Sequence, residues 1–415
     1  MKRLLILLVI FCSVFFVYFA VGTDFTFKPK WAIDYFNPMA QSLLHFRLDI
    51  KNPVETHDLI QFQGKWYIPW GILPAIFLIP LQVLQGRFVP AFYLSLLFSS
   101  LTTVVVLLLL KRVQKEFFPI FSNVSLCIVL ILFAFGTTQF YVGTLGSVWH
   151  VNQIVSSFFG TLGIFFIFKK KPIPIDYFIS LLCFGIGFLG RPTMLFLVSL
   201  PISLYVFHIL ENGKSTLENK TKYVKQAIIL FGIPLFVFCS IFFLYNYVRF
   251  GNVFQTGYDY IHESYNLEQI RKTNGISSFK NIPKNAHYLL FEFPKVIFAK
   301  NNLSFNFNLY GNSIFFLTPP FLVIFLSKAI RREKGKLKIN RFIASLWIAV
   351  ISTAIPILMH YSSGWMQFGY RYSLDIAVLL LLLSVFGIRG KMNILYIVGV
   401  IFAVWIHLLG IFSLM

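Results

Sequence analysis

The chain has 415 residues, of which 57% are hydrophobic and only 12% are charged, and its formal net charge is +21. A soluble domain of this length does not expose so much apolar surface, so the composition excludes a soluble fold and indicates a helical integral membrane protein. The basic residues lie in short runs at the ends of apolar segments, where they orient membrane helices, which argues against a nucleic-acid partner.

Apolar stretches of roughly the length that spans a bilayer follow one another along the chain. The first begins after Met-Lys-Arg and lacks a small-residue cleavage site, so it predicts an uncleaved signal anchor rather than a signal peptide. The predicted spans, about eleven in all, are residues 4–22, 88–110, 119–140, 151–168, 174–190, 193–210, 226–248, 313–328, 341–360, 373–388 and 394–413.

The segment from Trp70 to Leu84 is apolar but short, and prolines at positions 69, 74 and 80 are expected to break a continuous helix. If this segment is a re-entrant hairpin, 21 of the 36 Lys and Arg residues fall on one face and 15 on the other. The positive-inside rule then places the N-terminus in the cytoplasm and the C-terminus outside the cell membrane.

The predicted fold is therefore a single all-α membrane domain over residues 1–415, with large extracytoplasmic loops at 23–87 and 249–312. The first of these loops also contains an amphipathic pattern with helical spacing, which predicts a helix lying in the membrane interface. Its apolar stripe consists of Phe36, Met39, Ala40, Leu43 and Leu44.

Two carboxylates in the first loop are candidate catalytic groups. Asp34 directly precedes the amphipathic helix, where an aspartate is either an N-cap or a general base at the bilayer surface. The two roles are compatible. Asp58 lies before the predicted re-entrant segment, and a third acid, Asp24, follows the first span.

Basic and aromatic residues at the predicted outer ends of the spans are candidate substrate ligands. The planar guanidinium of an arginine suits a phosphate, and an aromatic ring suits the face of a sugar. Interface anchoring and ordinary hydrogen bonding explain the same residues equally well. The candidates are Tyr67, Trp149, His150, Arg191, Arg249, Gln367 and Arg371.

No predicted cytoplasmic segment resembles a nucleotide-binding motif, since none contains a Walker pattern or a G-x-G-x-x-G, which argues against an ATP-driven machine. The sequence also contains no H-E-x-x-H, C-x-x-C or D-x-D pattern. The four cysteines all lie in apolar segments without ligand spacing. No cofactor or protein-bound metal is expected, and a loosely bound divalent cation is the alternative that stays open.

Taken in order, these motifs resemble the polytopic type C glycosyltransferases (GT-C), in the bacterial and archaeal family 39-like branch related to protein mannosyltransferases. The resemblance runs along most of the chain. It is carried by Asp34-Tyr-Phe-Asn-Pro-Met-Ala40, Ser42-Leu-Leu-His-Phe-Arg-Leu-Asp49, Asp58 to Tyr67, Pro69 to Pro80, Phe135-Gly-Thr137, Gly146-Ser-Val-Trp149-His150, Gly190-Arg191-Pro192-Thr193, Asn246 to Gly257 and Gln367-Phe-Gly369-Tyr-Arg371-Tyr372.

The resemblance implies transfer of a sugar from a polyprenyl-phosphate donor to a hydroxyl of a glycan, lipid or protein acceptor outside the cell. Asp34 matches the position of the family's catalytic acid. Two positions depart from the pattern: Tyr35 stands where the family often has a second acid, and Phe46 replaces a glycine.

Two other classes of function remain open. A transporter or flippase of lipid-linked sugars would be expected to have two related halves, and no internal repeat is visible in the sequence. A non-catalytic assembly protein with the same fold is the other alternative, because a single acid stands at the catalytic position.

Overall fold

The computed structural model describes residues 2–28, 32–211, 217–299, 302–333 and 336–414. The α-helices, α1 to α17, are Lys2–Gly22, Phe36–Leu44, Leu73–Gln85, Phe92–Glu116, Asn123–Phe135, Thr138–Gly143, Val148–Ile167, Pro174–Gly190, Ser199–Glu211, Leu217–Ala227, Ile233–Phe250, Tyr265–Asn274, Ile282–Ala286, Ile314–Leu317, Arg341–Met359, Leu374–Gly387 and Ile394–Phe412.

Short β-strands, 3₁₀ segments and π-helical segments connect these helices. The strands, β1 to β6, are Ile60–Phe62, Lys65–Tyr67, Lys295–Ala299, Asn302–Asn306, Ile330–Glu333 and Lys336–Ile339, and they pair as three antiparallel hairpins. The 3₁₀ segments are Pro192–Val198, Tyr258–Tyr260, Phe279–Asn281, Pro319–Leu326 and Arg371–Ser373, and the π segments are Ile228–Gly232 and His287–Phe291.

Seven helical stretches within the described residues are long and apolar enough to cross a membrane. This confirms a mostly helical, multi-pass membrane protein, while the count of eleven spans and their orientation stay predictions. The seven stretches are Arg3–Gly22, Phe92–Glu116, Val148–Ile167, Pro192–Glu211, Thr221–Phe250, Arg341–Met359 and Ile394–Phe412.

The other four predicted spans are shorter or interrupted helices. The segment predicted at 119–140 is α5 and α6 with a break after Phe135, and the segment at 313–328 is the four-residue α14 followed by a 3₁₀ stretch. Pro319 and Pro320 cause the second interruption, because neither residue has an N–H to continue the α-helical hydrogen bonds. The remaining two are α8 and α16, of 17 and 14 residues.

The prediction of a broken hairpin at 70–84 is wrong in one respect, because residues Leu73–Gln85 form one continuous helix, α3. Pro74 lies in the first turn, where a missing N–H removes no helical hydrogen bond. Pro80 lies inside the helix and removes one such bond. Gly86 ends α3 in the left-handed conformation.

The chain divides into two compact units, and unit 2 comprises Phe15–Thr102 and Gly143–Ile270. Within it α2 packs on α3, α7 packs on α8, and α8 also packs on α11. The predicted helix at the first loop is confirmed as α2, with Phe36, Met39 and Ala40 fully buried. Leu44, at the end of the predicted stripe, is exposed.

A small hydrophobic core in unit 2 joins the β1–β2 hairpin to the end of α11. Ile60 and Tyr67 are opposite each other across the hairpin and pack with Phe250 and Ile261. The hairpin turn at Gln63 and Gly64 has both residues at positive φ, the geometry that suits the right-handed twist of two strands.

Unit 1 comprises Met1–Val14, Thr103–Val142 and Arg271–Met415. Its central element is α16, whose residues from Leu374 to Phe386 are all buried. Within this unit α16 packs on α15, on α5 and on the 3₁₀ segment Pro319–Leu326, while α17 packs on α5. A helix buried on all sides has no polar face, as the continuous leucine run in α16 predicts.

One backbone contact in unit 2 requires glycine. The N–H of Gly71 donates to the carbonyl of Gly190 at 3.3 Å, and a Cβ on Gly71 would lie 1.7 Å from the carbonyl oxygen of Leu189. No side chain fits at that distance. This contact holds the start of α3 against the end of α8.

We therefore expect Gly71→Ala to lower the free energy of unfolding by about 2 kcal/mol or more, because the two backbones must separate. Gly232→Ala is the matched control, since its nearest neighbouring atom would be 3.7 Å from the new Cβ. Thermal unfolding of both purified variants in detergent measures the difference. Equal melting temperatures for the two variants would contradict this contact.

Candidate functional site

Asp34 caps the N-terminus of α2. Its Oδ1 accepts hydrogen bonds from the backbone N–H groups of Phe36 at 2.8 Å and Asn37 at 3.1 Å. These N–H groups have no partner inside the helix, and a carboxylate there also interacts favourably with the helix dipole. Tyr35 occupies the N-cap position itself, so Asp34 caps the helix from one residue earlier than predicted, while its catalytic role stays a prediction.

The amide of Asn37 connects Asp34 to the elements around it. Its Nδ2 donates to Oδ2 of Asp34 and to the carbonyl of Val89 at 2.8 Å. Its Oδ1 accepts from Nε2 of Gln82 at 2.8 Å and from the N–H of Val89 at 3.2 Å. Every hydrogen-bonding position of this buried amide is therefore occupied, which fixes both the amide and the carboxylate that it contacts.

Burial raises the pKa of Asp34, and the hydrogen bonds from Asn37 and Phe36 oppose that shift. The ionised form is disfavoured by desolvation more than it is favoured by its donors. A raised pKa means that the stability contributed by this group is present at low pH and is lost as the pH rises through the raised value. Such a carboxylate is a stronger base than an ordinary aspartate.

Asp58 is held by the end of another loop and by a tryptophan. Its backbone N–H donates to the carbonyl of His262 at 2.6 Å, and its Oδ2 accepts from Nε1 of Trp149 at 2.9 Å. Trp149 lies in the first turn of α7. The structure thus brings together Asp58 and Trp149, which are 91 residues apart in the sequence.

Aromatic residues connect the surroundings of the two acids. The ring of Tyr35 stacks on Trp70 at 6.3 Å between centroids, and Trp70 meets Trp149 edge-on at 6.2 Å. The phenol of Tyr35 donates to the carbonyl of His57, the residue before Asp58, at 2.6 Å. Burial, and then the charges of Glu55 and Asp58, raise the pKa of Tyr35. Tyr35 therefore stays a neutral donor.

His150 and Arg191 lie at two helix ends in unit 2. His150 is buried, and its Nδ1 contacts Oγ of Ser147, the residue before α7. Arg191 is half-buried and follows the last residue of α8, at the turn that the carboxamide of Asn152 holds by donating to the carbonyl of Gly190 at 3.0 Å. The position of Arg191 is compatible with binding an anion.

Arg249 and Tyr67 contact other residues inside the fold. The guanidinium of Arg249 donates to the carbonyl of Ile68 and to Oδ1 of Asn246, each at 2.9 Å, and lies 3.8 Å from the ring centroid of Tyr245. Tyr67 is part of the small core of unit 2. These contacts support a packing role, and substrate binding by either residue stays a prediction.

Gln367 and Arg371 belong to unit 1. The fully buried carboxamide of Gln367 donates to the carbonyls of Tyr310 at 2.7 Å and Ser363 at 2.8 Å. Arg371 is buried at the start of a 3₁₀ turn and donates to the phenol oxygen of Tyr372 at 3.4 Å. Gln367 therefore organises a loop rather than presenting its amide to solvent.

Sequence reasoning missed three parts of this site. Gln82 is one of two amides in the otherwise apolar α3, the other being Gln85 at its end, and a polar residue inside an apolar run is the available signal. In the sequence Tyr35 is only a departure from a second acid, and Trp70 is only the end of an apolar segment. Among the described residues, no group of three or more His, Cys, Asp or Glu side chains could hold a metal ion.

The chain is a mostly helical, multi-pass membrane protein, in agreement with the expected architecture. Among solved structures, ArnT from Cupriavidus metallidurans, bound to undecaprenyl phosphate, matches with a TM-score of 0.52 and 11% sequence identity. The match covers 94% of this chain and 61% of the ArnT chain, so this chain spans less than two thirds of that length. A scan against protein-family models and a search of the curated proteins found no match.

The Asp34–Asn37 pair gives a pH-dependent prediction. We expect Asn37→Asp to destabilise the protein by about 3 kcal/mol or more at pH 7, because a buried carboxylate at position 37 would face that of Asp34 without the amide donor. Acid should restore part of the loss, since like charges raise each other's pKa and one carboxyl takes up a proton.

Asn52→Asp is the matched control, because Asn52 is exposed and its left-handed backbone suits aspartate. Thermal unfolding of both variants between pH 5 and about pH 8, compared with the unsubstituted protein, measures the effect. A loss for Asn37→Asp that does not depend on pH would contradict the pairing.

Proposed function

We propose that this protein transfers a sugar from a polyprenyl-phosphate donor to an acceptor hydroxyl on the extracytoplasmic side of the cell membrane. The observation that carries the proposal is Asp34, a half-buried carboxylate with a raised pKa in a fully hydrogen-bonded setting at a helix N-terminus. The fold shared with ArnT, whose structure contains undecaprenyl phosphate, supports the choice of donor.

In the proposed reaction the oxygen of the acceptor hydroxyl forms a bond to the anomeric carbon of the sugar. The bond from that carbon to the phosphate oxygen breaks, and its electron pair leaves with the phosphate. Asp34 takes the proton of the hydroxyl. A phosphate leaving group needs no strong general acid, and it needs only positive charge to stabilise the charge that develops.

Arg191 is the residue in unit 2 that we assign to the phosphate. It follows the last turn of α8, and the neighbouring backbone is held by Gly71 and Asn152. A guanidinium at a constrained turn can present two parallel N–H groups to phosphate oxygens. Arg371 is a second candidate cation for the same chemistry, and the separation of the chain into two units leaves that assignment a prediction.

Asp58 and Trp149 are assigned to positioning the sugar. The carboxylate accepts the indole N–H, so the aromatic face of Trp149 has a fixed orientation beside Trp70. A fixed aromatic face can pack against a sugar ring. Oδ1 of Asp58, which lies 3.8 Å from Nε2 of His57, can accept a hydrogen bond from a sugar hydroxyl. His150 and Tyr67 stay candidates for the same substrate on sequence grounds alone.

Asp34→Asn tests the proposed base. We expect sugar transfer from a radiolabelled polyprenyl-phosphate sugar to fall by about 100-fold or more, because general base catalysis contributes that much. Asp49→Asn is the matched control, since Asp49 is a half-buried carboxylate of the same loop and lies 3.7 Å from the guanidinium of Arg47. Unchanged transfer by Asp34→Asn would exclude the base, and no transfer by the wild type with any donor tested would favour a non-catalytic protein.

The transfer rate should also depend on pH. Since Asp34 acts as a base only when ionised, the rate is expected to rise with pH through an apparent pKa above the ordinary range of an aspartate. A rate profile of the wild type measures this value, and the Asp49→Asn profile should coincide with it. A profile that is flat down to the ordinary pKa of aspartate would contradict the raised value.

Sidedness can be tested independently of catalysis. In a variant with its four cysteines replaced, Val54→Cys should react with a membrane-impermeant maleimide on intact cells, because Val54 is fully exposed in the first loop. Lys170→Cys, in a predicted cytoplasmic turn, should react only after the membrane is opened. The reverse pattern would place Asp34 inside the cell and overturn the proposal.

A further inference from the structure

Unit 1 carries a cluster of three aromatic rings, two of them exposed and one half-buried, that the proposed reaction does not use. The rings of Tyr288 and Tyr310 stack at 5.7 Å between centroids, and Trp365 meets Tyr310 at 4.9 Å with an interplanar angle of 60°. Trp365 exposes 54% of its surface and Tyr310 exposes 38%. We call these three residues the aromatic platform.

Polar donors surround the platform. Among the residues that the structure describes, none forms a hydrogen bond with the indole N–H of Trp365 or with the phenol groups of Tyr288 and Tyr310. The ammonium of Lys284 lies 5.7 Å from the ring centroid of Tyr310. The nearby carboxylate of Glu292 is already bonded to His287 at 2.6 Å and to the amide of Asn308 at 2.8 Å.

The loop that carries Trp365 is held in one conformation. Gln367 donates from its side chain to the carbonyls of Tyr310 and Ser363, and its backbone N–H donates to the carbonyl of Leu309 at 3.1 Å. On either side of Trp365, Gly364 and Met366 have positive φ values of 93° and 51°. A methionine in this conformation is uncommon, and such residues persist only where the surrounding structure imposes them.

Flat aromatic faces with unused donors at their edges match the chemistry of a sugar ring. The C–H groups on one face of a pyranose pack against an aromatic ring, while its hydroxyl oxygens accept hydrogen bonds from N–H, phenol and ammonium groups. A hydrocarbon partner would leave these donors unsatisfied, which is costly when they are buried.

We propose that the aromatic platform is a carbohydrate-binding site, and that it takes a hexopyranose unit of a glycan. Trp365 stacks on the sugar, the phenols of Tyr288 and Tyr310 and the ammonium of Lys284 donate to its hydroxyls, and Gln367 is a positioning residue for the loop. Sugar binding by the platform does not depend on the proposed transfer reaction. Only the further step, that the bound glycan is the acceptor, rests on the proposed function.

The test is saturation-transfer difference NMR on the full-length protein in a detergent without a sugar headgroup, so that the detergent does not compete. The probes are the methyl glycosides of mannose, glucose and galactose. We expect ring-proton signals from at least one probe with the wild type, about three- to tenfold weaker binding for Trp365→Ala, and retained binding for Trp365→Tyr.

Trp405→Ala is the matched control. This tryptophan exposes a similar 43% of its surface, but it lies on α17 against Phe305 and Phe402. Its removal should leave sugar binding unchanged. The proposal is overturned if no probe gives a signal with the wild type, as expected for residues that only anchor the protein in the membrane interface, or if Trp365→Ala binds as well as Trp405→Ala.

A second comparison separates this site from the proposed reaction. Asp34→Asn should bind the methyl glycosides as the wild type does, even where it no longer transfers sugar. Signals that persist in a protein without any transferase activity would support the platform and reject the transferase. Transferase activity without any probe signal would support the transferase and reject the platform.

Discussion

The structure around the first loop depends on a half-buried carboxylate that keeps its hydrogen-bond partners. Asp34 accepts two backbone N–H groups and the amide of Asn37, and that amide is fixed in turn by Gln82 and by the backbone of Val89. An unpaired buried charge would be costly, and the hydrogen bonds offset part of that cost. The network therefore determines both where α2 begins and how α3 is oriented against it.

The overall class of fold could be predicted from composition, because an apolar chain with basic residues at the ends of its segments has few alternatives to a helical membrane protein. The first loop helix also followed from its spacing, and three of the five residues in the predicted stripe, Phe36, Met39 and Ala40, are buried. The continuity of helix α3 did not follow from the sequence. Counting prolines predicts a break, but their effect depends on position in the helix, and Pro74 lies where it removes nothing.

The candidate site was predictable in part. Asp34 and Asp58 stand out because carboxylates are rare in this chain, yet the partner of Asp58 is an indole 91 residues away, and no local pattern reports such a contact. Arg249 and Gln367 looked like ligands because polar residues near a membrane suggest function. Both make buried hydrogen bonds to backbone carbonyls, and substrate binding by either residue stays a prediction. Sequence alone does not distinguish ligand binding from buried hydrogen bonding to the backbone, because either one satisfies the N–H groups of these side chains.

Tyr35 stands where the resembled family often has a second acid, so Asp34 must act as a base without a neighbouring carboxylate. A second carboxylate beside Asp34 would raise its basicity through charge repulsion, at the cost of a second buried charge. Here a neutral phenol occupies that position, donates to the carbonyl of His57 and stacks on Trp70. The pKa of Asp34 is nevertheless raised, and burial is the largest cause. The surrounding apolar and aromatic groups thus supply the basicity that a neighbouring charge would otherwise provide, so one carboxylate is sufficient for the proposed proton transfer.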